Sequence, residues 1–98
     1  MEQLNVAEDK KIEIDFSAGH LTESVKAFRP LVYRDQEQVI CVLGPDLEKG
    51  IVGYGADVDA ALANWDKNLE QRIMNHGEDD EVARFIIDTR RASVKKVG

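Results

Sequence analysis

The sequence predicts an α+β fold: a three-stranded antiparallel sheet, open to an extra N-terminal strand, packed against one long helix and followed by a shorter C-terminal helix. Three observations predict it. Short β-type runs at Leu31-Val32-Tyr33, Val39-Ile40-Cys41-Val42-Leu43 and Ile51-Val52-Gly53-Tyr54 are separated by polar or turn-forming residues. From Val58 the apolar residues Val58, Leu62, Trp65, Leu69 and Ile73 recur in steps of three and four, which places them on one helical face. Between these patterns stands Gly53-Tyr54-Gly55-Ala56-Asp57, where a strand gives way to the helix. Gly53 and Gly55 suit a tight exit from the strand, because glycine accepts backbone angles closed to other residues. Asp57 suits the N-cap, its carboxylate accepting free amide protons of the first turn.

Residues 1–10 are polar and are expected to fray. Lys11-Ile12-Glu13-Ile14-Asp15-Phe16 alternates strictly, the pattern of a half-buried strand. Residues 17–27 stay ambiguous: Leu21, Val25 and Phe28 fit a short helix, and Val25 to Phe28 fits an extension of the next strand equally well. Pro30 lacks a ladder donor and suits an edge strand or its start. Asp35-Gln36-Glu37 has the length of a hairpin loop. The five apolar residues Val39 to Leu43 do not alternate, as expected of a central strand covered on both faces. Gly44-Pro45-Asp46 is a turn signal. The long helix is expected to run to about His76, with Gly77 at C′. Glu78 to Glu81 then supplies negative charge for the start of a second helix over residues 79–92, with basic residues toward its far end. Phe85-Ile86-Ile87 read as a strand is the weaker alternative.

Ninety-eight residues make one domain, with a core at 11–77 and a helix and basic tail at 78–98. Hydrophobic residues at 43% and charged residues at 33% describe a globular chain rather than a disordered one. No apolar run reaches the roughly 18–20 residues that cross a bilayer, and the N-terminus lacks the pattern of a secretory signal. The cytoplasm is the expected compartment. Of the formal charge of −6, residues 1–77 hold 8 basic and 14 acidic side chains and residues 78–98 hold 5 of each. An acidic body repels a phosphate backbone and favours a basic protein partner. Arg90, Arg91, Lys95 and Lys96 are the weak candidates for nucleic-acid contact.

The chemical inventory predicts no enzyme, cofactor or metal site. The glycines Gly50, Gly53 and Gly55 match neither a P-loop nor a dinucleotide fingerprint. His20 and His76, the two histidines, have no ligand spacing around them; His76 reads as a cap for the last carbonyls of the long helix. Asp57 and Asp59 diverge on a helix and make no acid/base pair. The single cysteine, Cys41, reads as a small buried hydrophobe. Tyr33, Tyr54, Leu62, Trp65 and Leu69 are the anchors of a core or of an interface.

The segment 28–73 resembles the HicB-like antitoxin domain. The residues that carry the resemblance are Arg29-Pro30-Leu31-Val32-Tyr33, the apolar Val39 to Leu43, Pro45-Asp46-Leu47 with Gly50, and Gly55-Ala56-Asp57-Val58-Asp59-Ala60-Ala61-Leu62, in the family's order and spacing. Asp57 stands where the family has Thr, which keeps an N-cap. Ala60 stands where it has Glu, which removes the reciprocal capping box. The resemblance implies a β-β-β-α fold related to the double-stranded-RNA-binding domain, which oligomerises through sheet or helix. It also implies a non-enzymatic role, binding and neutralising a small basic ribonuclease. Residues 78–98 are too few for a helix-turn-helix and short for a ribbon-helix-helix, so operator binding is not expected. The alternative is a standalone adaptor of the same fold, self-assembling as a dimer or tetramer with no toxin partner.

Overall fold

The computed structural model describes residues 3–95, with side chains through residue 92. Strands β1 (Leu31–Asp35), β2 (Gln38–Leu43) and β3 (Ile51–Gly55) form an antiparallel meander in the order β1-β2-β3. Helix α1 (Glu23–Phe28) precedes them; α2 (Val58–Asn75) and α3 (Glu81–Lys95) follow. The expected α+β architecture is the observed one.

The ambiguous stretch resolves as the short helix. Thr22 caps it by accepting the Val25 amide, and Arg29 ends it in the left-handed region at φ 48°. Pro30 then commits the chain to β1, since a residue without an amide proton starts an edge strand at little cost. At the β1–β2 hairpin only Gln36 and Glu37 lie between the strands, and Asp35 pairs with Gln38. The loop is therefore one residue shorter than Asp35-Gln36-Glu37. Gln36 takes φ 58° to close it, the sign that a two-residue hairpin turn demands.

Side chains alternate between the two faces of the sheet. Val32, Val39, Cys41, Leu43 and Ile51 face α2 and meet Ala61, Leu62, Trp65 and Leu69, together with Val25 of α1 and Val82 and Ile86 of α3. Trp65 and Leu69 are fully buried and Leu62 nearly so, which makes all three core residues rather than interface anchors. Cys41 is buried here as well, and burial, with Asp66 adding to it, pushes its thiol well above the usual range. Phe28 and Phe85 pack edge to face, ring centres 5.9 Å apart, and join α1 to α3.

Gly53 and Gly55 have a different role from the expected one. Both lie within β3, and neither has a positive φ. A Cβ on Gly53 would stand 2.3 Å from the Trp65 amide nitrogen, and one on Gly55 would stand 2.4 Å from that of Ala61. Glycine is needed there so that the backbone of α2 can rest directly on β3. That contact seats Trp65 against the sheet. Positive φ belongs to Gly44, at 132°, in the turn that leaves β2.

The opposite face holds Tyr33, Ile40 and Val42, with Leu31 and Val52 beside them. Leu4 and Val6 cover this face, so the first residues described are docked rather than frayed. The Gln3 side chain donates to the Val42 carbonyl at 3.1 Å and accepts from the Gly44 amide at 2.6 Å, and the Leu4 amide donates to the Gly44 carbonyl at 2.8 Å. The arm thus bonds to Val42 near the end of β2 and to Gly44 just past it. The extra N-terminal strand reduces to a single bridge, Lys11 with Tyr33, and one bond from the Ile12 amide to the Val32 carbonyl. Its alternation still describes its packing, since Ile12, Ile14 and Phe16 lean on the helical side of the core.

Helix α2 starts as expected: Asp57 accepts the Ala60 amide at 2.8 Å. It ends at Asn75, with His76 Nδ1 donating to the Ile73 carbonyl at 2.7 Å. Gly77 follows at C′, the expected position, but without a positive φ. His76, in extended conformation, turns the chain instead. Helix α3 confirms a helix, not a strand, at Phe85 to Ile87, displaced by two residues from the expected start. No helix among the described residues is long and apolar enough to cross a membrane.

Candidate functional site

Two surface concavities are lined by exposed charged side chains, and one of them also by Tyr54. The larger, a cleft of about 1100 Å³, lies between the β2–β3 connection (Pro45, Glu48, Lys49) and the turn from α2 to α3 (Gly77 to Val82). Its floor is held by Arg72, near the end of α2. The guanidinium donates to both carboxylate oxygens of Asp80, to the Gly50 carbonyl at 3.2 Å and to the Lys49 carbonyl at 2.5 Å. Four acceptors from two loops thus converge on one planar cation, a geometry suited to arginine and not to lysine. Asp80 also accepts the Ala83 amide at 3.0 Å, which makes it the N-cap of α3. The Arg72 hydrogen bond, more than the cap, holds the Asp80 carboxyl below its usual range against the opposing effect of burial. With Asp80 committed internally, Glu48, Glu78, Asp79 and Glu81 are the exposed carboxylates around the cleft.

The smaller concavity, about 590 Å³, lies at the β1–β2 hairpin, between Asp35, Glu37 and Gln38 on one side and Tyr54 with Gly55 on the other. Tyr33 and Tyr54 flank Ile40 in one row across the sheet. Tyr33 is buried under the arm, and burial, then the charge of Asp35 and the neighbouring Tyr54, raises its phenol above the usual range. Tyr54 is 45% exposed. The two tyrosines, grouped together by sequence, thus separate into a core residue and a surface residue.

The free edge of β3 is closed by side chains that sequence reasoning passed over. Asn64 Oδ1 accepts the Tyr54 amide at 2.9 Å, and Asn68 Nδ2 donates to the Val52 carbonyl at 2.7 Å. These are two of the outward-facing backbone groups of the strand, of the kind that otherwise recruit another chain. The signal was present in the sequence as two asparagines, poor helix formers, four residues apart beside the apolar stripe of a helix.

Of the basic residues of the C-terminal segment, Arg90 is engaged within the fold. Arg90 donates to Glu70 Oε1 at 2.5 Å and to Ser24 Oγ at 3.2 Å, tying α3 to α2 and α1. Arg91 is exposed. The Lys95 side chain and the whole of Lys96 lie outside the described residues. His20 approaches Asp59 at 3.6 Å on the open surface. Among the described residues no three of His, Cys, Asp and Glu are grouped to hold a metal ion. No protein-family model matches this chain, and no curated protein or solved structure matches it.

Proposed function

We propose that the chain is a non-enzymatic, HicB-like binding domain that neutralises a small basic protein of the toxin or ribonuclease kind. One observation carries this reading: the excess negative charge is displayed, not buried. No charged side chain is buried in the described core, and carboxylates gather at both concavities. Such a surface raises the encounter rate with a cationic partner and disfavours nucleic acid. The β-β-β-α order over 31–75 and the Asp57 cap are compatible with the family resemblance of that segment. Edge-to-edge strand pairing between copies is disfavoured, because Asn64 and Asn68 bond to the outer side of β3 and Ile12 bonds to the β1 edge.

Affinity capture with the tagged chain from its native lysate, read by mass spectrometry, tests the proposal. It expects a small basic protein in near-stoichiometric amount, released by salt. Recovery of the chain alone, or of an acidic partner, contradicts it.

A further inference from the structure

From the groove beside Tyr54 we infer that an arginine side chain of the basic partner docks against the Tyr54 ring, its guanidinium held by Asp35 and Glu37. The inference rests on the proposed function for the partner's charge and adds the place and chemistry of its recognition. Three features of the groove support it.

First, the aromatic surface is available. The N-terminal arm covers Tyr33, Ile40 and Val42, yet Tyr54 at the end of the same row stays 45% exposed. Its backbone is fixed by the Asn64 hydrogen bond. An exposed aromatic ring held on a rigid strand offers a cation a π-face, and arginine is the residue that most often uses one.

Second, the charge is unmatched. Asp35 and Glu37 form no ion pair among the described residues, and no basic side chain lines the groove. Lys11, bridged to Tyr33 nearby, is engaged by Glu8 at 3.0 Å. The larger cleft also holds carboxylates in excess, but no aromatic ring lines it for a guanidinium to stack on.

Third, the two carboxylates are on a short support. Asp35 is the last residue of β1, and a two-residue turn carries Glu37. A planar guanidinium lying on the ring keeps its edge free for in-plane bonds to carboxylates. An ammonium has neither the plane to stack nor the paired donors.

The test is a ¹H–¹⁵N spectral titration of the labelled full chain with acetyl-triarginine amide, against the uncharged citrulline peptide. The expected result is saturable shifts centred on Tyr54, Gly55 and Gln36 to Gln38, absent with citrulline. Tyr54→Phe keeps the dissociation constant within about twofold, whereas Tyr54→Leu, and separately the Asp35→Asn/Glu37→Gln pair, weaken it at least about fivefold. The spectra themselves report that each variant is folded. Shifts centred on Glu78 to Glu81 overturn the groove assignment and leave the basic-partner reading standing. Unchanged affinity in Tyr54→Leu, or no saturable shift at all, also overturns the assignment. Capture of a basic partner from lysate decides the broader reading independently.

Discussion

Asn64 accepts the backbone amide proton of Tyr54 at 2.9 Å, so a helix side chain takes the place of a fourth strand. Asn68, itself 3.3 Å from Asn64 Oδ1, does the same for the Val52 carbonyl. Replacing both by alanine leaves one donor and one acceptor without their partners. The expected loss is about 1–3 kcal/mol in urea unfolding, with concentration-dependent association by light scattering as the opened edge finds another chain. A variant that remains monomeric at high micromolar concentration contradicts the edge-closing role.

Gly53 and Gly77 are a matched contrast. Gly53→Ala forces a methyl group into the α2 backbone at 2.3 Å from a nitrogen, and is expected to cost about 3 kcal/mol or more in chemical denaturation. Gly77→Ala meets nothing within 4 Å and needs no positive φ. It is expected to be neutral or to stabilise by up to about 1 kcal/mol through the unfolded chain.

Trp65 is fully buried, and its indole Nε1 has no hydrogen-bond partner among the described residues. Trp65→Ala is expected to cost about 3–5 kcal/mol by leaving a cavity. Trp65→Phe gives up packing volume but also removes an unpaired buried donor, so its expected cost is below about 2 kcal/mol. Thermal melts of the two variants separate the contributions.

Asp80 sets a pH dependence whose sign follows from its lowered carboxyl. A carboxyl lowered in the folded state contributes stability that is present above its unfolded value and is lost as pH falls through the folded one. The wild type should therefore lose stability as pH drops below about 4. Arg72→Met should be less stable by about 2–3 kcal/mol at pH 7, with the gap to wild type shrinking in acid. A gap that is constant with pH contradicts the clamp.

Most of the fold was legible because it is written in patterns that physics reads locally. The period of α2, the unbroken apolar run of β2 and the cap at Asp57 each specify an element without reference to distant residues. Tertiary relations were not legible in this way. Nothing in the local sequence says that Gly53 serves a helix backbone packed on it, or that Leu4 and Val6 cover the second face of the sheet. Arg72 belonged to no motif, because its acceptors are brought together only when the loop at Lys49 and the cap at Asp80 fold against each other. Of the candidate sites, the acidity was evident from composition, but its division between a partly neutralised cleft and an unmatched groove is a matter of placement.

If the displayed carboxylates bind a basic protein, the affinity depends steeply on salt. The measurement is the dissociation constant of the captured partner between 50 and 500 mM sodium chloride, a range chosen to span roughly a twofold or greater change in screening length. The expected result is a weakening of about tenfold or more across that range. An affinity indifferent to salt, or the absence of any partner to titrate, contradicts it.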